Sequence, residues 1–224
     1  MLGLLFNNPL VFIFWIVALA IAISVQEAAH AFAADRLGDP TPRLQGRLTL
    51  NPLAHLDPIG TVMLLFMRFG WGKPVVFDPF NLRHPKRDSA IISLAGPTAN
   101  FIFAILCTLL LRILTNIHFT FLTNPVVGTA AYIVVGILQP IITLNIVLGV
   151  FNLVPVHPLD GFKIVEGILP GDYARQWHEL EPYGMIFLLF LIFPVFGGIS
   201  PISRIISPII DAILFVLLPG VKVI

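Results

Sequence analysis

Apolar stretches long enough to cross a bilayer recur along this chain, and few charges interrupt them. A hydrocarbon core about 30 Å thick takes roughly 20 consecutive apolar residues in a helix. Of the 224 residues, 57% are hydrophobic and only 11% are charged, about half the charge fraction of a soluble domain. An all-α polytopic membrane protein is the expected class. The net charge of +1 implies no strongly acidic or basic partner and speaks against nucleic acid. Cys107 is the single cysteine, so an intrachain disulfide and a thiolate metal cluster are excluded. It reads as a core or lipid-facing side chain.

Residues 1–224 read as one integral membrane domain with about five transmembrane helices. Met1 to Asn8 holds no Lys or Arg, and the apolar run outlasts a signal-peptide core, so a permanent first helix is expected over 10–35. The second span is 89–114 and the third 126–152, with Pro140 predicting a kink. A C-terminal hairpin is expected over 183–219. Its halves, 183–197 and 203–219, are short and separated by Gly197, Gly198 and Pro201, so a tilted hairpin or one interrupted element fits. Between the first two clear spans, 36–88 reads as a cytoplasmic and re-entrant region. There, Ile59 to Phe69 is too short to span and suits a buried or re-entrant segment. Gly46 to Leu50 and Lys73 to Phe80 suggest short strands or a hairpin at the membrane surface.

Charge placement orients the chain. Arg36, Arg43, Arg47, Arg68, Lys73, Arg83, Lys86 and Arg87 all fall between the first two clear spans, and 115–125 carries no charge. The excess of Lys and Arg places 36–88 in the cytoplasm, provided 59–69 does not cross. His30 then lies near the cytoplasmic end of the first helix. Asp160, just beyond 126–152, lies on the same side.

Two polar constellations carry the chemistry. The first is Ser24-Val25-Gln26-Glu27-Ala28-Ala29-His30, at the end of an apolar helix, where ionisable side chains are costly and mark function. Glu27 and His30 are three apart and share a helix face. The run is one residue from His-Glu-x-x-His, in which two imidazoles bind zinc and the glutamate activates water. Here position 26 is glutamine, whose carbonyl oxygen is a poor substitute for imidazole. A metal-free packing network between Glu27 and His30 is the plainer alternative. The second constellation is Asn152-Leu153-Val154-Pro155-Val156-His157-Pro158-Leu159-Asp160-Gly161, on 89–161, where Pro155 ends a helix. Asp160 suits an oxygen ligand to zinc, and Asn152 a donor to an oxyanion or substrate backbone. A capped loop, with Asp160 bonding local amides, fits the same residues.

These segments, with others in order, resemble the site-2 protease family of intramembrane zinc metalloproteases in its compact form without a PDZ domain. The likeness runs through Glu27 to Ala31, Arg36 to Thr41, Gly46 to Pro52, His55 to Thr61, Gly72 to Val75, Ala95 to Asn100, and Asn152 to Gly161. It implies hydrolysis of peptide bonds in or near transmembrane segments, with one Zn2+ per chain. It further implies a multi-pass protein of a prokaryotic cell membrane with the site toward the cytoplasm. Its partners would be a transmembrane protein or peptide substrate and the lipid bilayer, with homo-oligomers left open. By the same resemblance Glu27 is the general base, His30 and Asp160 are zinc ligands, and Asn152 is a polar group near the scissile carbonyl. Asn100 would pack helices or position substrate.

The chain departs from the family twice: Gln26 stands at the first zinc-ligand histidine, and His157 where proline is usual. Three accounts stand side by side. His157 replaces the lost ligand, giving His30, His157 and Asp160; or Gln26 is an engineered inactivation; or the chain is a natural pseudoprotease that binds helices without cutting them. A proton or ion transporter would also bury Glu27, His30 and Asp160, but would more naturally show internal repeats, and none is evident. His55 matches the family pattern and reads as structural or as orienting a ligand. His84, His118 and His178 sit among surface-like residues. Trp15, Trp71 and Trp177 read as interface anchors.

Overall fold

In the computed structural model, residues 6–67, 72–121, 125–194 and 198–218 are described. Among the described residues three helices are long and apolar enough to cross a membrane, and they form the frame. The first, α1 (Pro9–Leu37), starts where Asn8 accepts from the Val11 amide at 3.3 Å and Pro9 presets the first turn. It stops at Gly38, whose φ of +112° only glycine adopts easily, with the Asp39 amide closing back on Ala34 O at 3.0 Å. Two single turns follow, α2 (Thr41–Leu44) and α3 (Pro52–His55), and then α4 (Pro58–Met67). The long helices α5 (Pro85–Phe121) and α6 (Pro125–Asn152) complete the frame. Pro140 lies inside α6, which continues to Asn152.

The expectation of about five transmembrane helices plus a short β segment is corrected. Membrane-length apolar helix is confined to Pro9–Leu37, Pro85–Thr115 and Ile133–Asn152 among the described residues. The region 183–219 yields α9 (Glu181–Ile192) and α10 (Pro201–Leu217), of 12 and 17 residues. At 1.5 Å per residue these reach about 18 and 26 Å, each short of a 30 Å core. They follow α7 (Asp160–Ile168) and α8 (Gly171–His178). Glu181, opening α9, lies 3.6 Å from His157, whereas Arg112 of α5 donates to Val216 O at the end of α10, at 2.9 Å. α9 thus begins beside His157, and α10 ends beside Arg112.

The described residues contain no β-strand. Residues 73–78 form neither helix nor strand, reach an extended Asp78 and lead into a 3-10 turn at Pro79–Asn81, and pairing is reduced to one antiparallel bridge between Leu56 and Gly72. Of the β-branched and aromatic residues that suggested strands, Val75 gives its amide to Glu27 and Phe77 packs against the Ala34, Leu82 and Ile92 cluster, while Val76 and Phe80 are exposed. That bridge, with Lys73 N–H donating to His55 O at 2.7 Å, brings the two ends of 57–71 together. Within this stretch α4 takes ten residues, while Arg68, Phe69 and Trp71 lie outside the described residues, as does Gly197.

Helices α1, α5 and α6 pack on one another, and α7 lies against α5. The core between them uses small residues where backbones approach, with Ala18, Ala22 and Ala104 wholly buried. Ile142, Ile146 and Leu214 fill the wider parts. Cys107 is buried in this core.

Beyond the frame, Asp39 anchors the extended segment. Its Oδ1 accepts from the Thr41 amide and hydroxyl and from Asn81 Nδ2, and its Oδ2 from the Asp78 amide at 2.7 Å. Burial pushes the Asp39 carboxyl up, but the bonds from Thr41, Asp78 and Asn81 outweigh it and hold it below its ordinary value. The unfolded chain then binds this proton more readily than the folded one, so the contribution is present at neutral pH and lost as pH falls through the lowered value. Asp39→Ala should cost about 1–3 kcal/mol at pH 7 by removing the charge-assisted bonds from Thr41, Asp78 and Asn81. Thermal unfolding in detergent should show that deficit shrinking as pH drops below about 3.9.

Candidate active site

Near its C-terminal end α1 turns two side chains, Gln26 and His30, to one face, because residues four apart stack on a helix. Both are buried, at 5% and 7% exposure. Space for them is made by Gly96 of α5: a Cβ there would fall 2.2 Å from His30 Nε2 and 2.8 Å from Gln26 Cγ. Glycine inside a helix costs about 1 kcal/mol against alanine, and here that cost secures close approach.

Asp160 reaches the same place from the first residue of α7. The turn from α6 into α7 is tight, since a Cβ on Gly161 would lie 2.3 Å from Leu153 O. Asp160 Oδ2 lies 3.2 Å from His30 Nε2 and accepts from Gln26 Nε2 at 3.1 Å. His30 Nδ1 is 2.8 Å from Ile92 O, a carbonyl that can only accept, so this nitrogen carries the hydrogen. Gln26 Oε1 in turn accepts from Asn100 Nδ2 at 3.0 Å and from Asn152 Nδ2 at 3.3 Å. Asn152 also donates to Leu148 O at 3.0 Å, which commits both of its amide hydrogens.

Glu27, half-buried and three residues from His30 on α1, accepts from the Val75 amide at 2.8 Å. The extended segment thus passes beside the carboxylate expected to act as a base. Buried Arg47 secures the start of that segment, donating to Ala54 O and, at 3.5 Å, to Lys73 O. Lys163 of α7 sits 4.5 Å above the Phe77 ring at its other end.

The structure therefore gathers Gln26, His30, Asp160, Asn152 and Asn100, with Glu27 next to them on α1. It does not bring His157 to them. His157 Nδ1 lies 3.6 Å from Glu181 Oε1, and its ring meets Phe162 edge-on at 5.6 Å. Gly184 of α9 packs directly on it. His55 is fully buried, with Nε2 2.8 Å from Thr49 O, and supports the loop beneath the extended segment. Trp177 donates to Phe162 O at 3.0 Å and stacks on Phe162.

Three participants were not expected as parts of the site: Gly96, the Ile92 carbonyl and the Val75 amide. Gly96 had a legible signal, a glycine inside an apolar helix. The other two are backbone groups and carry none.

A catalytic zinc takes three nitrogen, sulfur or carboxylate ligands and leaves a fourth position for water. Two groups of that kind converge here, His30 and Asp160. The third neighbour is a carboxamide whose oxygen already accepts from two asparagines. Among the described residues, no three His, Cys, Asp or Glu side chains gather where they could hold a metal ion. The residues present do not fit zinc.

Comparison with known proteins places these residues in context. The family model "Peptidase family M50" matches residues 14–192. YwhC of Bacillus subtilis (strain 168), named as a candidate zinc metalloprotease, is 34% identical over 183 residues, covering 82% of this chain and 81% of that protein. Rip2 of Mycolicibacterium smegmatis, named likewise, is 31% identical over 188 residues, covering 81% and 67%. Rip2 of Mycobacterium tuberculosis (strain H37Rv) is 29% identical over 196 residues, covering 84% and 70%. No solved structure matches the chain.

The contact at Gly96 is directly testable. Gly96→Ala should force His30 and Gln26 aside at a cost of about 1–3 kcal/mol. Its thermal unfolding midpoint should fall by several degrees, whereas alanine at open Gly171, with nothing within 4 Å of the added Cβ, should leave it unchanged.

Proposed function

Because the chain belongs to peptidase family M50, we propose that it is an intramembrane member of that family that binds transmembrane segments without cutting them. The observation that carries this reading is the Gln26 carboxamide. It stands beside His30 and Asp160 and consumes the donors of Asn100 and Asn152. Metal-assisted hydrolysis needs a complete ligand set to generate a nucleophile at neutral pH, and this set is one good ligand short. Asn152, expected to hold the scissile carbonyl, has both amide hydrogens engaged within the protein. Glu27 faces a backbone amide of its own chain.

What remains is a frame of three membrane-length helices among the described residues, with the Gln26 carboxamide bonded internally. Such a frame suits packing against a helix of a partner membrane protein. Peptide hydrolysis with one zinc per chain is the second reading. Its support is that His30 Nε2 and Asp160 Oδ2 converge to 3.2 Å, next to Glu27 on α1. On that reading a third ligand must join them, and His157 lies against Glu181 instead.

The experiment is a liposome assay with a fluorescent transmembrane peptide carrying a photo-crosslinker. The parent should crosslink to the peptide yet release no more product than Glu27→Gln. Gln26→His, supplied with zinc, should release more. Product from the parent above the Glu27→Gln level would contradict the proposal.

A further inference from the structure

Gln26 is held by three other helices at once. Asn100 of α5 and Asn152 at the end of α6 both donate to its oxygen, and its nitrogen donates to Asp160 at the start of α7. Gln26 and Asn100 are buried, the latter completely. These contacts join residues 134, 74 and 126 positions apart in sequence.

Only a carboxamide satisfies these partners together. Its oxygen has two lone pairs for the two asparagines, and its nitrogen a hydrogen for the carboxylate. A neutral imidazole has one acceptor nitrogen and cannot take both asparagine donors. A glutamate would set a second oxygen against Asp160. An apolar side chain would leave donors unpaired in a setting where lipid offers no replacement.

We infer that Gln26 is the cross-link that holds α1 to α5, α6 and α7 in place of a bound metal, so that the closed frame is stable metal-free. A metal shared by α1 and α7 would tie those two elements; the carboxamide ties the same two and adds α5 and α6. This rests on the reading that the chain does not hold zinc, and goes beyond it by giving residue 26 a positive role. Gln26 is then a positioning residue rather than a vestige, and Asn100 and Asn152 serve the frame rather than a substrate.

The test is thermal unfolding of the detergent-purified full chain, with and without a chelator. It compares the parent, Gln26→Ala, Asn100→Ala, the double variant and the near-isosteric Gln26→Glu. The parent midpoint should be unchanged by chelator. Gln26→Ala should lower it by roughly 5 °C, and Gln26→Glu should also lower it, because shape alone does not keep the bond to Asp160. The double variant should lose clearly less than the sum of the singles, since one bond is shared. If Gln26→Ala does not fold, Gln26→Glu with Asn100→Ala supplies the same cycle. Additive losses in a chelator-insensitive parent overturn the cross-link alone. A parent midpoint that falls with chelator overturns both the cross-link and the metal-free reading.

Discussion

The hydrogen bonds that meet at the Gln26 carboxamide are the constraint around which the frame is arranged. Inside a bilayer no water competes for a polar side chain, so one buried carboxamide dictates where its neighbours must be. Asn100, Asn152 and Asp160 answer it from three elements that sequence separates widely. Gly96 lets α5 come close enough for this to happen, and the tight turn at Gly161 delivers Asp160 to the same level. The apolar core then fills in around a polar centre that has already set the register of the helices.

A second set of ties fixes the segment outside the frame. Asp39 holds the Asp78 amide, Glu27 the Val75 amide, and Arg47 the Lys73 carbonyl, while Lys163 covers Phe77. An extended segment without a partner strand leaves backbone groups to be satisfied, and here carboxylates and a guanidinium answer several of them. The segment consequently runs beside α1 at the depth of Glu27.

Much of this was legible in the sequence, for physical reasons that can be named. The first helix, 10–35, appears as Pro9–Leu37, and 126–152 as Pro125–Asn152, because an uninterrupted apolar run bounded by Pro and Gly leaves few alternatives. The span 89–114 lies within the membrane-length segment Pro85–Thr115, and the helix that carries it, α5, continues to Phe121. The count of about five crossings failed on 183–219, where hydrophobicity is high but neither helix is long enough alone. The β segment failed because Lys73 to Phe80 has strand composition without a second strand to pair with. His30, Asp160, Asn152 and Asn100 were legible as a polar group inside apolar sequence. Whether His157 would join them depended on the path of residues 153–161, which spacing does not encode; its ring turns to Glu181 and Phe162.

Elemental analysis of the detergent-purified chain for zinc bears most directly on the central claim that Gln26 has replaced a metal site with a hydrogen-bonded one. Near-zero zinc in the parent, with a substantial rise in Gln26→His prepared in the same way, is the expected result. One zinc per chain in the parent, lost on chelation and on Asp160→Ala, would contradict it and return the chain to the metalloproteases.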